Sequence, residues 1–152
     1  IHFDENAVRP MGRDTTGVRG IRLKRNDYVI GMEVFAAQPY RPKDRRRRFF
    51  RDILVVMENG LGKRTTIKNY PCQRRGGVGV KAAHVTKKTG KIVLSQLVTQ
   101  QIKQVILTSK KAQVIKLPLK NIPRLGRATQ GVILMRFSKP DDAIAAVTCL
   151  KK

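Results

Sequence analysis

Arg75-Gly76-Gly77-Val78-Gly79-Val80 has two counterparts in the same chain, Arg13-Asp14-Thr15-Thr16-Gly17-Val18 and Arg127-Ala128-Thr129-Gln130-Gly131-Val132. In each, an arginine stands four residues before a glycine, and a valine follows that glycine. The match continues upstream without gaps. Val8, Tyr70 and Ile122 lie five residues before the arginine, and His2, Arg64 and Lys116 eleven before it. The glycines are spaced 62 and then 52 residues apart. The excess of ten is about the length of an irregular basic stretch, Pro39-Tyr40-Arg41-Pro42-Lys43-Asp44 with Arg45 to Arg48. A unit of about 50 residues therefore recurs, and one copy carries a basic insertion.

Each complete unit reads as four short strands. In the second unit, residues 52–57 are apolar and strand-like, and Glu58-Asn59-Gly60 is a turn because Asn-Gly supplies the positive φ that tight hairpins need. Residues 61–67 form the second strand, and a loop through Pro71 and the glycines leads to a third strand at 79–85. A turn at 87–90 and a fourth strand at 91–98 complete the unit. The third unit repeats the pattern at 103–108, 112–117, 132–137 and 143–150. No 12-residue stretch has a good 3.6-residue apolar period, so helix is expected to be minor.

Four-stranded units of this length are blades of a propeller-like array, and each blade buries its faces by stacking on neighbours. The expected fold is all-β with about two and a half blades, because the first unit lacks its first two strands. Residues 1–38 read as the second half of a blade, 39–51 as the basic insertion, 52–100 as a complete blade and 101–152 as a complete last blade.

Charge narrows the function. With 33 Lys+Arg against 10 Asp+Glu, the formal net charge of the 152 residues is +23. Like charges in that excess repel one another, and a polyanion offsets the cost. A membrane surface fits poorly: no run of 18 apolar residues exists, the N-terminus has no signal-peptide pattern, and the basic residues lie on strand-like segments. Cys72 and Cys149 make no disulfide framework, which suits a reducing cytosol. No Ser–His–Asp set, catalytic carboxylate pair, phosphate loop or zinc spacing appears, so no catalytic, metal or cofactor residue is expected. Tyr70 stands where the other units have Val8 and Ile122, which favours packing over nucleophilic chemistry. The recurrent Gly17, Gly79 and Gly131 read as turn glycines first, with close approach of DNA a consequence of the same geometry.

The stretch from Val8 to Leu23, with Gly60-Leu61-Gly62-Lys63-Arg64-Thr65 and Leu125 to Val132, resembles late blades of the bacterial DNA gyrase A C-terminal domain, in the type IIA topoisomerase family. The resemblance covers nearly the whole chain outside the insertion. It implies a β-pinwheel, a propeller-like disc in which neighbouring blades exchange strands and duplex DNA lies on a basic outer rim. Gln73-Arg74-Arg75-Gly76-Gly77-Val78-Gly79 resembles the family's Gln-Arg-Arg-Gly-Gly-Lys-Gly box, with Val78 in place of the lysine and in a penultimate blade. It reads as a degenerate copy.

The expected DNA contacts follow from that resemblance. Gln73, Arg74 and Arg75 lie in the box-like loop, with Lys63, Arg64 and Lys68 before it and Lys81 after it. Lys116, Lys120, Arg124 and Arg127 are their counterparts on the next blade, and Arg9, Arg13 and Arg19 on the one before. Arg45, Arg46, Arg47 and Arg48 are an extra grip at a blade junction, or a solvated loop. Such contacts position DNA without reading its sequence. The implied partners are double-stranded DNA, the rest of the gyrase A polypeptide, and the gyrase B polypeptide. The last carries ATP hydrolysis in an A2B2 holoenzyme of the cytoplasm and nucleoid. Two other readings stand beside this one: a topoisomerase IV domain used for substrate choice, and a basic RNA-binding or protein-interaction module.

Overall fold

The computed structural model describes residues 1–35 and 51–151. The insertion, with Arg45 to Arg48, lies outside the described residues apart from Arg51. Seven strands are present among the described residues: β1 Arg51–Met57, β2 Leu61–Thr66, β3 Ile92–Thr99, β4 Ile102–Ser109, β5 Val114–Pro118, β6 Val132–Ile133 and β7 Ile144–Lys151. Helix is limited, among the same residues, to three single 3-10 turns at Glu5–Ala7, Ile67–Asn69 and Leu119–Asn121. These turns fall at the same place in the three units, 62 and then 52 residues apart.

The strands form two antiparallel sheets, β3-β1-β2-β6 and β5-β4-β7. The order shows how the units interlock. β1, β2 and β3 belong to the second unit, whereas β6 comes from the third and pairs with β2 through Leu61↔Ile133 and Gly62↔Val132. A blade is thus completed by a strand from its neighbour. The second sheet has the corresponding three strands, and no described strand lies on the outer edge of β5.

The apolar run on β1 reads without alternation because both of its faces are buried. Leu54 and Val56 enter a core shared with Val105 and Leu107 of β4, Ile122, Leu134, Met135 and Ile144, which joins the two sheets. Ile53, Val55 and Met57 point the other way, into a cluster with Leu61 and Ala83. Each such side chain, fully buried, contributes roughly 1.5–3 kcal/mol. Residues 79–85, expected as a third strand, carry no strand assignment, and neither does any part of 1–35. The physical reason is pairing. The counterpart β6 rests on β2, while the described residues offer 79–85 no equivalent of β2 to join.

Candidate nucleic-acid interface

The joint between units is built twice from the same bonds. His2 Nδ1 meets the Tyr70 carbonyl at 3.0 Å, and its counterpart Arg64 donates Nε to the Ile122 carbonyl at 2.8 Å. The amide of Gln73 donates to the His2 carbonyl, and the amide of Leu125 to the Arg64 carbonyl, both at 2.8 Å. The Arg22 amide donates to Gly77 O at 2.8 Å, and the His84 amide to Thr129 O at 3.1 Å. The recurrent arginine closes the joint. Arg75 donates Nη1 to the Arg19 carbonyl at 2.6 Å, and Arg127 donates Nη1 to the Lys81 carbonyl at 2.6 Å. Arg75 also donates Nε to Ala7 O at 2.8 Å. Arg75 and Arg127 therefore tie one unit's loop to the preceding unit's main chain.

At Gly79, against Ile1, and at Gly131, against Gly62, the recurrent glycine belongs to the same joint. Gly17, Gly79 and Gly131 have φ of 74°, 75° and 87°. A Cβ on Gly131 would lie 2.6 Å from the Gly62 carbonyl oxygen, a backbone atom that cannot swing away.

Lys63 departs most from the expected rim. It is fully buried. Its ammonium donates to the carbonyls of Gly126, Arg127 and Thr129 at 2.9, 2.6 and 2.8 Å, and meets Thr129 Oγ1 at 3.1 Å. Burial, and secondarily the Arg127 charge, lower its pKa from the ordinary 10.5 to about 8. The reason it lies inside is the interlocking: the third unit's loop passes over β2 and covers the side chain. Ile1 and Ile115 occupy the equivalent positions, so this staple belongs to the second unit and not to the other two.

Arg64 is also drawn inward. Its Nη1 lies 3.5 Å from Asp52 Oδ2, and its side chain is 13% exposed. Arg124 reaches the same oxygen with Nε and Nη2, each at 3.0 Å. Asp52 is completely buried at the start of β1. Burial lowers the pKa of Arg64, Asp52 raises it, and Arg124 lowers it further. Tyr70 is held in the packing of the second cluster, and burial pushes its phenol up, away from nucleophilic use.

The remaining expected contacts are placed as follows. Arg9, Arg13, Arg19, Lys68, Arg74, Lys81, Lys116 and Lys120 are exposed, and Gln73 is half-buried. Arg64 and Lys120 line one shallow depression together with Lys103. Lys116 lies within β5, opposite Ile106. Asp52 and Thr129 make structural contacts that the sequence does not single out, and Asn59, legible only as a turn residue, also holds the facing turn through the carbonyls of Lys87 and Lys88. Asp52 carries one signal: it is an acid opening a strictly apolar run in a chain with 10 acids. Among the described residues, no group of three His, Cys, Asp or Glu is arranged to hold a metal. No helix among them is long and apolar enough to cross a membrane.

The chain is 37% identical over all 152 residues to the DNA gyrase A protein of Staphylococcus aureus strain MRSA252, and equally to that of strain N315. It spans 16% of the length of those relatives. Its fold is similar to a solved DNA gyrase A C-terminal domain, with a TM-score of 0.73 at 24% identity, covering 97% of this chain and 45% of that one. It is also similar to the C-terminal domain of a DNA topoisomerase IV, with a TM-score of 0.76 at 21% identity, covering 98% of this chain and 42% of that one. The sequence family described as DNA gyrase C-terminal domain, beta-propeller, matches residues 1–36, 51–95 and 103–151, one segment per unit and none across the bulk of the insertion. With the interlocked blades and these matches together, the chain belongs to the DNA gyrase C-terminal domain family, and its fold is the β-pinwheel.

Proposed function

We propose that this chain holds duplex DNA by its phosphates, without reading sequence, and wraps it as the C-terminal part of a gyrase A polypeptide. In the holoenzyme with the gyrase B polypeptide, wrapping presents a second stretch of the same DNA to the cleavage gate with a fixed hand. ATP-driven strand passage then introduces negative supercoils. The chain itself supplies no catalytic group, and its setting is the cytoplasm and nucleoid. The observation that carries the reading is the recurrence of exposed cations from unit to unit among the described residues, in a chain of formal net charge +23. Bending 20–30 base pairs costs on the order of 1–6 kcal/mol, and phosphate contacts offset it. The gyrase relatives at 37% identity favour this parent over topoisomerase IV.

The test is titration of unrelated duplexes across a salt series. The expected result is equal affinity for all sequences and a linear fall of log affinity with log salt, since each neutralised phosphate releases counterions. Binding that ignores salt, or that prefers one sequence strongly, sinks the reading. Closed circular DNA relaxed in the protein's presence should retain a shifted linking number. An unshifted circle would leave DNA holding but remove wrapping.

A further inference from the structure

Two of the three arginines that mark the repeat, Arg75 and Arg127, are tied to backbone carbonyls, so recurrence alone does not identify a phosphate contact. A second basic position recurs at the same spacing without such a tie. Arg25, Lys87 and Lys139 stand 62 and then 52 residues apart. All three are exposed, on the turn that leads into the last segment of each unit.

The main chain of these turns is fixed. The Asp27 amide donates to Lys24 O at 3.1 Å, and its counterpart, the Thr89 amide, to Thr86 O at 3.2 Å. Asn59 Nδ2 donates to the carbonyls of Lys87 and Lys88, each at 3.1 Å. Lys111, which takes the place of Asn59 in the next unit, donates Nζ to the Pro140 carbonyl. The backbone is clamped while the side chains of Lys87, Lys88 and Lys139 stay in solvent.

The local balance stays positive. Lys110 is 62% exposed and lies 4.0 Å from Glu58. Asp27 and Asp141 are exposed on the turns themselves. Asp142 is buried and occupied by the Ser109 hydroxyl at 2.6 Å and the amides of Lys111 and Ala143 at 3.0 and 2.8 Å. By register, the turns lie at the Met57 end of β1 and the Ser109 end of β4. Lys68 and Lys120 follow β2 and β5 at the opposite end, about 20 Å away for strands of this length.

We propose that Arg25, Lys87 and Lys139 form a second phosphate-gripping line for duplex DNA, one cation per unit, separate from the box-like loop. The inference rests on the DNA-binding reading above. One exposed cation stepping from unit to unit on a fixed backbone suits a polyanion whose charge is itself periodic. An acidic protein surface has no such period, and lysine serves phosphate as a point charge.

The experiment uses the full-length protein carrying R25Q/K87Q/K139Q, compared with K116Q/K120Q and the unaltered protein across a salt series. Lysine acetylation with and without duplex DNA is mapped alongside. Each lost phosphate contact should lower the log–log salt slope by about 0.9, so the triple variant should lose roughly 2–3. DNA should protect Lys87 and Lys139 from acetylation. A steep slope left unchanged by the triple variant, with protection at Lys116 and Lys120 only, overturns the turn site and leaves DNA binding standing. A slope that falls without protection of Lys87 and Lys139 is a long-range field effect and also overturns it, as does protection by polyglutamate but not by DNA. A salt-independent affinity in the unaltered protein defeats the underlying functional reading instead.

Discussion

The Lys63 ammonium sits among four oxygens contributed by the third unit's loop. Lys63→Met keeps the length of the side chain and strands those carbonyls without a donor. The expected loss is roughly 2–3 kcal/mol, read by chemical denaturation. The same group predicts a pH dependence. Its folded pKa, about 8, lies below the ordinary lysine value of 10.5. Between those values the unfolded chain binds more protons than the folded one, so Lys63 makes stability rise as pH climbs through that window. The increment should vanish in Lys63→Met. Asp52 is the second decisive residue, one buried carboxylate serving Arg64 and Arg124. Asp52→Ala removes the buried carboxylate that both guanidinium groups share, and should cost about 2–3 kcal/mol, discounted for the half-exposure of Arg124. An unchanged denaturation midpoint would refute the structural role assigned to Asp52.

At the scale of elements, the two hairpin turns differ in one informative way. Asn59-Gly60 places Gly60 at φ 79°, and in the next unit Ala112 occupies the same place at φ 64°. A left-handed alanine costs roughly 1–2 kcal/mol, while glycine takes that conformation freely and loses part of the gain to chain entropy. Ala112→Gly should therefore stabilise by about 0.5–1 kcal/mol, checked by a thermal melt. The alternation of Leu54 and Val56 with Ile53, Val55 and Met57 into two cores explains why β1 carries no polar residue after Asp52. The third strand of each unit is not legible in the same way. β6 is only two residues long and exists because β2 of another unit receives it.

At the scale of the molecule, +23 charges on 152 residues oppose a compact state. Raising ionic strength from about 10 to 150 mM shortens the Debye length from about 30 to about 8 Å. Melting temperature should rise over that range, and duplex DNA at low salt should raise it further by binding the folded form. A melting temperature insensitive to both would show that the charges are already compensated within the fold. The class of the protein was legible before any coordinates. The 62- and 52-residue periods, the strand-length apolar runs and Asn59-Gly60 are local or additive properties, and the all-β blade array they predicted is the fold observed, while the basic surplus is likewise additive and points to the polyanion of the proposed function. Which cations stay available was settled only by the packing of one unit on the next. Arg75, Arg127 and Arg25 look alike along the chain. The first two find carbonyls of the preceding unit, Lys63 is roofed over by the loop at Gly126–Thr129, and Arg25 lies exposed on its turn. A cation's availability depends on whether another unit brings an acceptor within hydrogen-bonding reach, and between the second and third units strand exchange between residues 61–62 and 132–133 sets that distance.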